Sequence, residues 1–261
     1  MSFLLEVSDL TKEFGGLKAT NRVNFKINSN RIISIIGPNG AGKTTLFNLL
    51  SGFIKPTSGK IIFDGKNITK LEPHQIADLG LIRTFQSTET FKGLTVLESV
   101  IAGSHRINKP DIFGILTNMR KYREQEKKCK EKAIKIIRYF KLEKYMNTVS
   151  NNLPYGKQKV LEIVIALAAE PKLLLLDEPV VGLNPSEKIE IIKLIKKINL
   201  EQNLTILFVE HDMNIVMDIS YNILVLNAGE LIAEGPPVNI KKNNKVIEAY
   251  LGYGVKNYVR S

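Results

Sequence analysis

Two clusters of residues in this chain carry the makings of phosphate chemistry. The first is Gly37-Pro38-Asn39-Gly40-Ala41-Gly42-Lys43-Thr44-Thr45. Glycines at this spacing let backbone N–H groups close on phosphate oxygens, and a helix opening at the end of the run adds the positive end of its dipole. Lys43 is expected to reach the β- and γ-phosphates of ATP, and the Thr44 hydroxyl to ligate Mg²⁺. The second cluster is Leu173-Leu174-Leu175-Leu176-Asp177-Glu178-Pro179, an apolar run ending in two carboxylates. Asp177 is expected to hold Mg²⁺ directly or through water, and Glu178 to activate the attacking water as general base. Either cluster alone has a bland reading, a glycine-rich turn with an incidental lysine or an acidic turn after a strand. Both together read only as a P-loop NTPase, a class that binds and hydrolyses nucleoside triphosphates.

The elements that must position these residues are legible in the pattern. Ile32 to Ile36 is a short apolar run ending in glycine and reads as a buried strand, followed by the glycine-rich turn and a helix over about Lys43 to Leu50. Leu5 and Val7, then Val23, Phe25 and Ile27, alternate like strands around a Phe14-Gly15-Gly16 turn, and Gly59 to Phe63 reads as another strand. Between about Thr88 and Ala166 the character is helical. Thr95 and Glu98 form a capping-box pair, a charged segment runs from Arg120 to Phe140, and Leu161 to Ala169 reads as a more apolar helix. Alternation then resumes: strands at Leu173 to Leu176 and Thr205 to Val209, Asn184 and Pro185 as N-cap and first position of a helix over Ser186 to Ile198, and two strands flanking Asn227-Ala228-Gly229. This predicts an α/β fold with a mostly parallel, helix-covered core sheet, antiparallel strands at the N-terminus and an inserted helical subdomain. The expected division is a core over 1–87 and 167–235, a helical subdomain over 88–166 and a tail over 236–261.

Five further features share an order that resembles the ABC ATPase family across nearly the whole chain. Gln86, in Arg83-Thr84-Phe85-Gln86, resembles the Q-loop glutamine. Leu153-Pro154-Tyr155-Gly156-Lys157-Gln158 stands where the family has its signature. Val180 to Pro185 resembles the D-loop, His211 the switch histidine, and Phe14 the aromatic placed against adenine. Each alone has a structural reading: a surface amide, a strand-end histidine, a core phenylalanine. The resemblance implies that ATP on the phosphate loop of one subunit is covered by the signature of a second, antiparallel subunit, through backbone N–H groups around Tyr155 and Gly156. It implies that His211 contacts the γ-phosphate, that Gln86 contacts Mg²⁺ or water, and that the helical subdomain docks a membrane permease.

Composition sets the surroundings. Of 261 residues, 44% are hydrophobic and 24% charged, which suits a globular chain with a sizeable core. A single cysteine, Cys129, excludes an internal disulfide. No secretory signal is expected from MSFLLEVSDL, and the longest apolar run, Ile163 to Ala169, is far short of the ~20 residues of a spanning helix. The net charge of +11 could mark nucleic acid or an anionic leaflet, but lysine is spread throughout, so a general bias with a weak membrane-proximal contribution is the preferred reading, with no nucleic acid partner. The expected place is peripheral, on the cytoplasmic face of the cell membrane.

Finer features resemble the larger ATPase subunit of branched-chain amino-acid importers: Gly80 to Gln86 followed by Leu94 to Glu98, the segment Ser104 to Lys121, the tyrosine at the third signature position, the Gly-Leu-Asn-Pro D-loop, and Val246 to Gly252. That resemblance implies permease subunits, a second ATPase subunit in a hetero- or homodimer and, indirectly, a substrate-binding protein. Pro154 departs from the usual signature serine, so no hydroxyl there can contact phosphate. Val160 and Ile165 stand where the signature helix often has arginines. Other amino acids, urea-like amides or an exported lipid stay open as transported substrates. A DNA-repair ATPase would need a long coiled-coil or zinc-hook insertion, and a translation-associated one would need two ATPase halves.

Overall fold

The computed structural model describes residues 3–84, 93–104 and 119–251. The chain divides into two compact units, Met1–Leu81 with Ile192–Ser261, and Ile82–Ile191. In the first unit an antiparallel sheet is built from β1 (Leu5–Phe14), β2 (Leu17–Ile27), β4 (Ser58–Phe63) and the two-residue β5 (Lys66–Asn67), in the order β2-β1-β4-β5. The apolar alternation of its strands buries Leu5, Val7 and Leu10 with Val23, Phe25, Ile27, Ile61 and Phe63. Register shifts along β1 coincide with left-handed backbone at Asp9 (φ 48°) and Arg22 (φ 47°).

The same unit contains β3 (Ile32–Ile36), β8 (Thr205–Val209), β9 (Asn222–Asn227) and β10 (Glu230–Gly235). β3 lies parallel between β8 and β9, and β10 returns antiparallel on β9. Every residue of β3 and β8 is buried, the mark of a parallel strand covered on both faces. The expected strands and the helix α1 (Lys43–Leu50) stand where the pattern placed them, and α1 buries Leu46, Phe47, Leu49 and Leu50. Helices α2 (Pro73–Leu79) and, later in the chain, α7 (Met213–Ile219), α8 (Pro237–Lys241) and α9 (Asn244–Leu251) had no clear periodic signal. The short ones rest on local devices: Glu72 and Gln75 form a capping box on α2 after a proline start, and the Asp212 side chain caps α7.

The second unit holds β6 (Leu81–Arg83), beside β7 (Leu173–Asp177), together with α3 (Val96–Gly103), α4 (Met119–Tyr139), α5 (Tyr155–Ala168) and the start of α6 (Pro185–Gln202). Thr95 and Glu98 make the capping box of α3 as the sequence implies, with Glu98 N–H donating to Thr95 Oγ1 at 3.2 Å and Thr95 N–H to Glu98 Oε2 at 2.8 Å. Those bonds hold the Glu98 carboxyl below its usual range. Helix α5 begins at Tyr155, ahead of the apolar stretch from Leu161. Its first turn is polar on the outside, and Pro154 at the N-cap supplies its carbonyl to Lys157 and Gln158 N–H (2.8 and 3.0 Å). α6 likewise runs on past Ile198 to Gln202. No helix among the described residues is long and apolar enough to cross a membrane.

Candidate functional site

In the first unit the loop after β3 is pressed between two other backbones. Gly37 has φ 156°, and a Cβ on it would lie 2.2 Å from the Leu226 carbonyl oxygen of β9. Gly42 has φ 100°, and its Cβ would lie 2.3 Å from the Ala19 carbonyl oxygen of β2. Neither neighbour is a flexible side chain, so both positions require glycine. The Gly229 N–H donates to Ala41 O at 3.0 Å, and the Asn21 N–H to Gly229 O at 2.8 Å, so the β9–β10 turn braces the loop. Lys43 is 7% exposed and curls back over the loop, its Nζ donating to Gly37 O (2.7 Å) and Pro38 O (2.9 Å). Pro38 is half-buried and Ala41 buried, Asn39 and Gly40 lie on the open side, and Thr44 is exposed on the first turn of α1 with Thr45 half-buried behind it.

Ala19, Leu226 and Gly229 shape the loop through main-chain atoms, which leave no residue-type signal. A fourth contributor is Tyr250, on α9. Its hydroxyl is hydrogen-bonded by the Gly37 backbone, and burial pushes the phenol up to about 12 against that bond. Phe14 ends β1 beside the Gly15-Gly16 turn and is 47% exposed, with Lys12 Nζ 4.9 Å from its ring centroid. It is a surface aromatic, not a core residue. His211 is exposed directly after β8, and its backbone N–H donates to Glu210 Oε2 at 3.0 Å.

In the second unit β7 delivers Asp177, whose Oδ2 lies 2.7 Å from Arg83 Nη2. Glu178 follows in the left-handed region, φ 49°, where a non-glycine residue costs about 1–3 kcal/mol. Such strain clusters at functional positions because the surrounding structure must hold it. Tyr155 opens α5 with an exposed ring, its hydroxyl donating to Val181 O at 3.2 Å. Gly182 has φ 79°, and a Cβ there would lie 3.0 Å from the Tyr155 ring. Gly156 packs against the Glu187 carboxylate, which is fixed in turn by a capping box with Asn184: Asn184 N–H to Glu187 Oε2 at 3.1 Å and Glu187 N–H to Asn184 Oδ1 at 3.0 Å. The structure therefore joins Tyr155 and Gly156 to the segment Val181 to Glu187 within one unit. Gln86 lies outside the described residues. The first unit offers the exposed Thr44 hydroxyl and the second the Asp177 carboxylate, each an oxygen donor of the kind a hard divalent cation takes.

Comparison with known proteins decides the family. Residues 20–181 match the family model described as ABC transporter. The chain belongs to the ABC transporter family. Such membership makes it an ATPase subunit, the activity to which the loop and the paired carboxylates point. Among curated ABC transporter proteins, the high-affinity branched-chain amino acid transport ATP-binding protein BraF of Pseudomonas aeruginosa is 43% identical over 249 residues, covering 95% of this chain and 98% of that protein. A nucleotide-free ATP-binding cassette from an ABC transporter superposes with a TM-score of 0.82 at 32% identity, covering 95% of this chain and 99% of the other. An ATP-binding cassette solved in its ADP conformation gives a TM-score of 0.82 at 31% identity, over 97% of this chain and 100% of the other.

Proposed function

We propose that this chain is the ATP-hydrolysing subunit of an importer for branched-chain amino acids, working at the cytoplasmic face of the membrane on permease subunits that it drives but does not contain. The observation that carries the reading is the glycine loop clamped between β2 and β9, with Lys43 held over it. Relatives named as branched-chain amino acid transport proteins, matched over almost their whole length, supply the substrate class. In this reading Gly37 to Thr45 present backbone N–H groups and the Lys43 ammonium to the phosphates of ATP, and Phe14 stacks on the base. Thr44, Asp177 and Gln86 are the residues read as Mg²⁺ ligands. Mg²⁺ supplies charge neutralisation on the phosphates. Glu178 takes the proton of the attacking water and His211 stabilises charge that develops on the γ-phosphate.

The signature has a separate role. The α5 N-terminus presents the N–H groups of Tyr155 and Gly156 towards ATP held by a second ATPase subunit. Pro154 is the N-cap there and makes no side-chain cap hydrogen bond, which favours a partner subunit of different sequence for the stronger of two sites. A substrate-binding protein would deliver the amino acid to the permease.

The test of the catalytic reading is Glu178→Gln in the assembled transporter. ATP binding stays intact and steady-state hydrolysis falls by roughly 10²–10⁴, the scale of a lost general base. Hydrolysis at the wild-type rate would contradict the assignment.

A further inference from the structure

Asp177 is paired with Arg83, a residue that the reaction as described leaves unused. Their side chains are 5% and 10% exposed, and the contact is a short charge-assisted one at 2.7 Å. β6 ends at Arg83, and the next residue pins the chain to β7: Thr84 N–H donates to Leu175 O at 3.0 Å and Thr84 Oγ1 to the same oxygen at 3.3 Å. The backbone on both sides of the pair is therefore fixed. Surface pairs elsewhere, such as Lys55–Glu72, leave their charges in water, where solvent already neutralises them. Water does that poorly for a carboxylate as enclosed as Asp177. A neighbouring cation does it well, and arginine stays charged at every working pH.

We propose that Arg83 is a built-in counter-cation for Asp177, a positioning residue that neutralises and orients this carboxylate while no metal is bound and thereby sets how much Mg²⁺ the site requires. The inference rests on Asp177 being the metal-binding carboxylate. Two effects oppose each other when Arg83 is removed. The carboxylate loses a partner that fixes its rotamer, which weakens metal binding. It also loses a competing positive charge in direct contact, which strengthens it. Fixing one short side chain with two torsions counts for less than a full charge at contact distance, so the second effect wins.

The experiment is a Mg²⁺ titration of fluorescent-ADP binding to the full chain, with thermal melts at each Mg²⁺ concentration. Arg83→Met and Arg83→Gln, the latter retaining a donor for Oδ2 without its charge, are expected to lower the half-maximal Mg²⁺ concentration about tenfold, the effect of one opposite charge at this range. Arg83→Lys is expected to stay near the wild-type midpoint. In an Asp177→Asn background the Arg83→Met effect disappears. If both neutral variants lower the melting temperature equally with and without Mg²⁺ and leave the midpoint in place, Arg83 is only a tie between β6 and β7 and the inference is overturned. If Asp177→Asn itself leaves the Mg²⁺ midpoint unchanged, the metal-binding reading of Asp177 fails and the inference falls with it. Arg83→Gln keeps the test open should Arg83→Met not fold.

Discussion

Replacing Lys43 by methionine separates two jobs that the structure gives one side chain. The ammonium is buried, and it donates to Gly37 O and Pro38 O at 2.7 and 2.9 Å, so it latches the loop even before a phosphate arrives. Hydrogen bonds to a charged group contribute about 1.5–3 kcal/mol each, a gross loss of roughly 3–6 kcal/mol for two. Against this, methionine fills most of the same channel and removes the desolvation cost of an ammonium, several kcal/mol for an ion taken out of water. The net destabilisation of the nucleotide-free chain is therefore about 1–2 kcal/mol. In a chain of this size that corresponds to a melting temperature lower by roughly 2–8 °C. The second job shows only with nucleotide. At a hundred times the dissociation constant, ATP stabilises a binding-competent protein by about 2.7 kcal/mol, and the variant should forfeit nearly all of that at the same ATP concentration. The assay is a pair of thermal melts for each protein, with and without ATP. A variant with both an unchanged nucleotide-free melt and a wild-type ATP shift would refute the reasoning. A lower melt with a full ATP shift would leave the latch standing and remove the phosphate contact.

Two other outcomes follow from the same unit. Gly42→Ala forces a Cβ to 2.3 Å from the Ala19 carbonyl oxygen at φ 100°, so chemical denaturation should show a loss of about 2–4 kcal/mol together with loss of ATP binding, the upper range for strained core substitutions; an unchanged urea midpoint would contradict the geometry. For Tyr250 the sign is set by its raised pKa, which comes from burial and is opposed by the Gly37 bond. The neutral phenol is the form the fold prefers, so its stability contribution is complete below pH 10 and fades as pH rises towards about 12; Tyr250→Phe should flatten the difference in stability between pH 9 and pH 12, and an identical slope in both proteins would count against the burial of the phenol.

What the sequence discloses and what it withholds divide along physical lines. The phosphate loop was legible because its chemistry demands residue types: glycines with positive φ and a lysine at a fixed offset. β3 and β8 were legible because a doubly covered parallel strand must be apolar throughout. The capping box of α3 could be read from Thr95 and Glu98 alone. The braces of the loop were not legible, because Ala19, Leu226 and Gly229 act through carbonyl and amide groups that every residue owns. Tyr250 lies more than two hundred residues from the glycine it touches, and no local pattern connects them. Arg83 was read only as part of a run leading to Gln86. Its pairing with Asp177 depends on β6 lying beside β7, a long-range fact. The early start of α5 is not legible because a polar first turn has no apolar stripe, and its N-cap, Pro154, has no side-chain oxygen to mark a helix start. Glu178 was chosen from its place after Asp177, and its left-handed backbone adds a strain that sequence cannot show.

The account is tested most directly by uptake. The wild-type chain, assembled with its permease, second ATPase subunit and binding protein in liposomes that enclose ATP and Mg²⁺, should accumulate radiolabelled leucine, isoleucine or valine against a gradient, and the Glu178→Gln assembly should bind ATP yet accumulate them far more slowly. Accumulation by the Glu178→Gln assembly at the wild-type rate, or no ATP-dependent uptake of any branched-chain amino acid by the wild type, would contradict it.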